Sequence, residues 1–150
     1  KFIGKIRNLV DSVYEYNPYY INHSTWLRSI TYESMLRFKR DFLNKLTTID
    51  ALKVQRRIKL SRRSIKDIPY GYGVYTGWDT TPRWKERGIV HSNITAQDFK
   101  SQINDATLKM NDDDFIMVTA WNEWGEGNYM EPDLKHGKGY IKSLNEALNQ

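Results

Sequence analysis

Two glutamates three residues apart are the residues of this sequence best suited to chemistry. Glu123 and Glu126 lie among Trp121, Trp124 and two glycines. Cleavage of a glycosidic bond requires two carboxyl groups, one that protonates the leaving oxygen and one that acts as base or nucleophile, about 5 to 5.5 Å apart in retaining enzymes. Tryptophan rings pack on sugar rings and exclude water, an environment that favours a protonated carboxyl group. The cluster therefore predicts a site for carbohydrate chemistry, with Glu123 and Glu126 as its catalytic residues.

A glutamate pair at this spacing also fits the solvated face of an ordinary helix, because residues three apart are neighbours there. The context favours a site. The pair follows directly on residues 115–118, a continuous apolar run typical of a strand buried on both faces. In parallel α/β folds, polar residues just beyond the carboxyl end of a strand face the ligand crevice.

Helical patterns and short apolar strands alternate along the chain, which predicts the α/β class with a mainly parallel sheet. A second strand is predicted over residues 70–78. One helix is predicted from Phe2 to Val13, a second begins at Thr31, and a third follows the capping pair of Thr95 and Asp98. The last helix is predicted to begin near Gly139, with Ile141, Leu144 and Leu148 facing inward. A (β/α)8 barrel needs about 250 residues. Residues 1–150 are therefore expected to be a single domain fragment, the C-terminal part of such a barrel, with the remainder upstream.

Composition narrows the range of functions. There is no cysteine, and the three histidines are scattered, so neither a metal site nor a cofactor is expected. No apolar run approaches the roughly 20 residues of a membrane span. The cytoplasm is the expected compartment, an expectation that an export signal upstream of Lys1 would overturn. Residues 53–66 carry seven basic and no acidic side chains. Because no aromatic residue is interleaved with them, a solvated helix or loop is favoured over a nucleic-acid surface, and no nucleic-acid partner is expected.

The chain also resembles a known family. Residues 120–127 read Ala-Trp-Asn-Glu-Trp-Gly-Glu-Gly, and residues 130–133 read Met-Glu-Pro-Asp. With the helix after Gly139, they resemble the end of the glycoside hydrolase family 99-like domains, and within that group the WbsX-type proteins. Gly-Trp-Asp-Thr-Thr-Pro-Arg at residues 77–83 resembles an earlier block, and Tyr-Glu-Tyr-Asn-Pro at residues 14–18 a still earlier one. WbsX-type proteins are named as glycosyltransferases and occur in clusters that build bacterial surface polysaccharides.

This resemblance implies a mechanism. Family 99 hydrolases are (β/α)8 barrels that act within α-mannose chains with two glutamates at this spacing. Carried over, Glu123 deprotonates the sugar's own 2-hydroxyl, which attacks the anomeric carbon, while Glu126 protonates the leaving group, so that configuration is retained. The sequence departs from the hydrolases at Gly125, where they carry histidine. The resemblance therefore leaves mannose specificity and hydrolysis open.

Further residues are expected to bind a glycan substrate around the pair, and they are Trp78, Asp79, Arg83, Trp121, Asn122, Trp124 and Glu131. Asp79 would accept hydrogen bonds from sugar hydroxyls, and Arg83 would orient a carboxylate or phosphate. An ion pair between Asp79 and Arg83 is the alternative. Glu131 would support the site, or it marks a tight turn before Pro132.

Two rival functions stay open. The aspartates at residues 112–114 offer the Asp-x-Asp pattern of a nucleotide-sugar glycosyltransferase, although they precede the apolar strand and are expected to form a solvated turn at its amino end. Five tryptophans and ten tyrosines would also suit a carbohydrate-binding domain without catalysis.

Overall fold

The computed structural model describes residues 9–18, 34–35, 38, 42–62 and 68–149. Within them the strands are β1 (Val13–Tyr14), β2 (Thr47–Asp50), β3 (Tyr70–Tyr75), β4 (Ile89–Ser92), β5 (Phe115–Thr119), β6 (Asn122–Glu123) and β7 (Asn128–Tyr129). The α-helices are α1 (Ala51–Ser61), α2 (Thr81–Trp84), α3 (Ala96–Thr107) and α4 (Gly139–Leu148). Two 3-10 turns, Lys85–Arg87 and Trp124–Glu126, complete these elements.

The main sheet has the order β1-β3-β5 and is parallel throughout. Its neighbouring strands follow one another along the chain, with α1 between β1 and β3 and α3 between β3 and β5. Strand β2 follows β1 and strand β4 follows β3, and these two strands pair in parallel. Strands β6 and β7 follow β5 and pair antiparallel. The α/β class with a mainly parallel sheet is confirmed, and each main strand is followed by a short accessory strand before its helix.

Helix α3 forms the centre of the core. Thr95 and Asp98 make the predicted capping box at its start, which satisfies backbone donors that the first turn leaves unpaired. Phe99, Ile103 and Ala106 recur with helical period and are fully buried. They pack against β3 and α4, and α3 also contacts α1, so one helix holds the sheet and its neighbouring helices together.

Helix α4 begins at the predicted residue, and of the residues predicted to face inward Leu144 packs against the core whereas Leu148 does not. Its buried residues are Tyr140, Ser143 and Ala147, whereas Leu148 is 63% exposed. The ring of Tyr140 packs edge-on against Phe99, with the ring centroids 5.8 Å apart. This contact fixes the face that α4 presents to α3. Leu148 follows the buried Ala147 and therefore points about 100° away from it around the helix axis.

The beginning of the chain differs from the helix predicted there. Residues 1–8 lie outside the described part, but Val13 belongs to β1 and pairs with Tyr70 of β3. Most of the helix predicted from Thr31 also lies outside the described residues. The basic run forms the solvated helix α1 over its described part, with one exception, Arg62, which is buried.

A buried polar network fastens the segment after β1 to β3. Strand β1 ends at Tyr14, and beyond it side chains supply hydrogen bonds to Gly73 of β3. Glu15 Oε2 accepts from the Gly73 amide at 3.2 Å, and Asn17 Nδ2 and Arg62 Nη2 donate to its carbonyl at 2.8 and 2.7 Å. The approach requires glycine, because a Cβ at Gly73 would lie 2.3 Å from the Glu15 carbonyl oxygen.

Among the described residues, no helix combines the length and apolar character needed to cross a membrane.

Candidate active site

Two loops meet beyond the carboxyl ends of β3 and β5. The amide of Asp79, in the loop after β3, donates to the carbonyl of Glu126, in the loop after β5, at 2.7 Å. Gly127 contacts Asp79 and has a φ of +57°, and a Cβ at Gly127 would be 2.8 Å from the Asp79 Cβ. Only glycine combines this left-handed conformation with so close a contact. The backbone thereby joins the two segments that carry the predicted site residues.

Arg83 bridges the two glutamates. Its Nη2 donates to Glu123 Oε1 at 2.8 Å, and its Nη1 donates to Glu126 Oε1 at 2.9 Å. The side chains of Arg83, Glu123 and Glu126 are 50%, 42% and 22% exposed. Both carboxylates are therefore held by one planar fork, the geometry in which arginine binds two acceptors at once.

Asp79 binds the first residue of the helix that carries Arg83. Its Oδ1 accepts from the amide of Thr81 at 2.8 Å and from the Thr81 hydroxyl at 2.6 Å, at the first turn of α2. Its carboxylate is thus engaged with Thr81, while Arg83 pairs with the glutamates. The structure gives Asp79 a role in orienting the helix of the bridging arginine.

A cavity of about 210 Å³ lies beside the glutamates. Its wall is formed by the end of β5, by both glutamates and by two tyrosines near β1; the lining residues are Tyr14, Tyr16, Met117, Val118, Thr119, Ala120, Glu123 and Glu126. Tyr14 and Tyr16 are 53% and 49% exposed. Four of the five residues of β5 are half-buried and only Thr119 is buried, so the predicted burial of this strand on both faces is not observed.

The hairpin of β6 and β7 carries an aromatic surface next to this cavity. Trp124 stacks on Tyr129 with ring centroids 3.8 Å apart and planes 18° apart. Its indole Nε1 donates to Glu131 Oε2 at 2.7 Å, so Glu131 fixes the ring. Trp121 is 51% exposed, and Asn122 of β6 is exposed opposite Tyr129. These residues lie outside the cavity lining and continue the surface along the hairpin.

The family model described as "Glycosyltransferase WbsX" matches residues 5–144 of the chain. The chain belongs to the WbsX glycosyltransferase family. The resemblance expected from the sequence motifs is confirmed.

Relatives of the chain occur in bacteria. The "Uncharacterized protein WxcX" of two Xanthomonas campestris pv. campestris strains, B100 and ATCC 33913, is 24% identical to it over 96 residues. The match covers 61% of this chain and 14% of each relative. No solved structure matches the chain.

One predicted binding residue lies in the core of the protein. Trp78 is 8% exposed and packs with Val54, Ile58 and Tyr75 beside α1. Next to it, His91 of β4 is buried, and its Nδ1 lies 3.3 Å from the Tyr75 hydroxyl. Burial lowers the pKa of His91 to about 4, so the ring is neutral at pH 7. These aromatic residues stabilise the loop after β3 and stand apart from the cavity.

The aspartates at residues 112–114 form a turn at the amino end of β5. Asp114 accepts from the amides of Tyr70 and Asn111, each at 2.8 Å, which ties the turn to the start of β3. Glu123 and Glu126 follow the opposite end of β5. Within the part of the chain that the structure describes, no three acidic, histidine or cysteine residues are grouped as metal ligands would be.

The sequence did not identify Tyr14 and Tyr16 as cavity residues. The signal lay in their alternation with two residues that prove to be fully buried, Glu15 and Asn17. Alternation with period two indicates extended backbone with two distinct faces. One face reaches the network around Gly73 and the other reaches the cavity.

Proposed function

We propose that this WbsX-family chain carries the catalytic glutamates of a carbohydrate-active enzyme that acts on glycosidic bonds in bacterial surface polysaccharide metabolism. One observation carries the proposal. Glu123 and Glu126 both line the cavity and are both bound by the guanidinium of Arg83. Two carboxylates on one fork are held close together, so both can reach one bound sugar, as glycosidic bond cleavage requires.

The proposed reaction retains configuration. Glu123 accepts the proton of the bound sugar's 2-hydroxyl, and that oxygen forms a bond to the anomeric carbon as the bond to the leaving oxygen breaks. Glu126 gives its proton to the leaving oxygen. Water or a sugar hydroxyl then attacks the anomeric carbon from the face that the leaving group occupied and gives up a proton to Glu126. The bond between the 2-oxygen and the anomeric carbon breaks at the same time, and the 2-oxygen regains its proton from Glu123. Attack by water is hydrolysis, and attack by a sugar is transfer.

The surroundings of the glutamates support a glycan substrate. Tyr14 and Tyr16 stand in the cavity wall with the glutamates, and the stacked Trp124 and Tyr129 continue an apolar surface outside it. Flat aromatic rings pack against the C–H faces of sugars and also offer polar edges. We assign the cavity to the sugar that reacts and the hairpin surface, with Trp121, to a neighbouring sugar of the chain.

The architecture proposed for the whole enzyme is a (β/α)8 barrel, of which this chain would be three consecutive βα units. Parallel neighbours in chain order, each followed by a loop and a helix, support this assignment. In such a barrel β2 and β4 belong to the loops at the catalytic face. The candidate site then lies where barrel enzymes carry their chemistry.

The direct test is turnover of glycans by the intact protein. Aryl glycosides of both anomeric configurations and free oligosaccharides are incubated with it, with and without nucleotide sugars, and the products are identified by mass spectrometry. Glu123→Gln and Glu126→Gln should each lower turnover by about 10² to 10⁴-fold, the usual contribution of a general acid or base. Glu146→Gln is the control, because Glu146 is 59% exposed on α4. Full turnover in both active-site variants would refute the proposal.

A nucleotide-sugar-dependent transferase is the second candidate, favoured by the family's description. Turnover that requires a nucleotide sugar would support it, whereas cleavage of a free glycan would support the hydrolytic reaction. A binding domain without catalysis predicts that glycan binding occurs without turnover and that neither glutamine variant changes the products.

A further inference from the structure

Gly125, between the two glutamates, leaves a space that Arg83 occupies. A Cβ at Gly125 would lie 2.9 Å from Arg83 Nε, 3.1 Å from its Nη2 and 3.2 Å from Glu123 Oε1. The backbone at Gly125 is not in the left-handed region, unlike that at Gly127. Conformational freedom therefore does not explain this glycine. The space that the Arg83 guanidinium occupies explains why no side chain is present at this position.

The arginine reaches this space from a fixed support. Asp79 accepts a hydrogen bond from the amide of Thr81, the first residue of α2, and the amide of Thr80 donates to the carbonyl of Ile89 in β4 at 3.0 Å. The Asp79 amide is in turn joined to Glu126. Arg83 is thus held by the loop after β3 and reaches glutamates that belong to the loop after β5. A side chain supported in this way is oriented before a substrate arrives.

Arg83 contacts the glutamates but is not part of the cavity wall. The lining contains Glu123, Glu126 and the end of β5, and the guanidinium binds the carboxylates outside it. Two carboxylates at short range repel each other, and a shared cation offsets that repulsion while its planar fork sets their separation. The arginine therefore acts on the reaction through the glutamates.

We propose that Arg83 is a positioning residue that sets the spacing of Glu123 and Glu126, and that Gly125 lacks a side chain in order to admit it. This inference rests on the proposed function, because it concerns the same two carboxylates. It adds a determinant in a separate loop and explains a glycine that the backbone conformation does not require.

The test compares Arg83→Gln, Arg83→Lys, Gly125→Ala and the double variant Arg83→Gln/Gly125→Ala in the intact protein, with an aryl glycoside or sugar donor that the parent turns over. A displacement of about 1 Å at a catalytic group costs on the order of 10²-fold in rate. We expect kcat to fall by about that factor in Arg83→Gln and by a smaller factor in Gly125→Ala, where the guanidinium has to move less, with KM little changed in both. Arg83→Lys should recover part of kcat, because it keeps the charge but not the fork. The double variant should be no slower than Arg83→Gln alone, since both changes remove one interaction.

The matched controls are Arg57→Gln, on the exposed side of α1, and Gly139→Ala, where a Cβ would meet Ala96 at an ordinary 3.4 Å. Both should keep the parent kcat. A second measurement needs no substrate. Nitrogen-15 NMR of the arginine side chains should show hindered rotation of the Arg83 guanidinium in the parent and free rotation in Gly125→Ala. Because Gly125→Ala keeps Arg83, it also tests the inference if substitutions of Arg83 disturb folding.

The outcomes separate this inference from the proposed function. Loss of turnover in both glutamine variants with unchanged kcat in Arg83→Gln would overturn the inference alone. Fold-losses that multiply in the double variant, or a guanidinium that rotates freely in the parent, would also overturn it. Full turnover in Glu123→Gln and Glu126→Gln would instead remove the proposed function.

Discussion

Two arginine and glutamate clusters in this molecule have similar chemistry and opposite surroundings. Arg62 lies with Glu15 in the interior, where their side chains are 1% and 0% exposed. Arg83 lies with Glu123 and Glu126 at the rim of the sheet, with side chains 50%, 42% and 22% exposed. The same ion pair serves the fold in one place and a candidate reaction in the other.

The difference lies in what the arginines bind. Arg62 donates to the carbonyls of Gln102 and Gly73 at 3.0 and 2.7 Å, so most of its contacts are with backbone of α3 and β3. Its Nε is 3.6 Å from Glu15 Oε2. Burial lowers the pKa of Arg62, and the charge of Glu15 opposes that shift. Arg83 binds side chains instead, and the carboxylates that it holds also face a cavity. The buried arginine is committed to backbone, whereas the carboxylates paired with Arg83 keep one side accessible.

The largest effect is therefore expected in the buried cluster. Glu15→Gln removes the charge opposite Arg62 and leaves a buried guanidinium without compensation, which typically costs about 3 to 5 kcal/mol. Urea denaturation should show this decrease in the free energy of unfolding. Glu146→Gln is the control: its exposed pair with Lys100 should contribute less than about 1 kcal/mol. A decrease below about 1 kcal/mol for Glu15→Gln would mean that the two clusters do not differ in this way.

The buried histidine extends the comparison to pH. The pKa of His91 is about 4 in the folded chain, against 6.5 for the ordinary group. Between these values the unfolded chain binds more protons than the folded one, so stability falls as pH falls from about 6.5 to about 4 and is fully present above pH 6.5. The difference of about 2.5 units corresponds to a loss of roughly 3 kcal/mol.

His91→Phe keeps an aromatic ring beside Tyr75 and cannot titrate. Denaturation of parent and variant at a series of pH values between 7 and 4 isolates the contribution of His91, because other groups affect both proteins alike. The difference in unfolding free energy should shift steadily in favour of the variant as pH falls. If the unfolding free energies of parent and variant change with pH in parallel, the pKa of His91 is the same in the folded and the unfolded chain, and the prediction is wrong.

Local sequence was sufficient for the elements whose contacts are local. The Thr95 and Asp98 cap and the periodicity of Phe99, Ile103 and Ala106 specified α3 correctly. The pattern before Val13 was misleading, because a strand of two residues leaves no period of its own to compete with an apparent helical one. The prediction that glutamates and Arg83 lie near one another followed from placing both segments beyond the carboxyl ends of strands.

The partners of the arginines could not be predicted from local sequence. Arg62 is one of seven basic residues in a run, and its partner Glu15 is distant in the chain. Arg83 stands four residues from Asp79, which favoured that pair, yet its partners are 40 and 43 residues away. Long-range contacts depend on which loops meet at the end of the sheet. Periodicity carries no information about that.

The smallest effect on stability is expected where the effect on function should be large. Arg83→Gln removes two hydrogen-bonded ion pairs that are partly exposed to solvent, and water replaces much of what is lost. Exposed pairs of this kind contribute about 0 to 1 kcal/mol, and removing a cation between two carboxylates adds only a modest repulsion at high dielectric. Urea denaturation of Arg83→Gln should therefore give an unfolding free energy within about 1 kcal/mol of the parent.

Glu123→Gln should behave similarly, because it also relieves the repulsion between the carboxylates. A loss of several kcal/mol in either variant would show that this cluster, like the buried one, serves chiefly to hold the fold together.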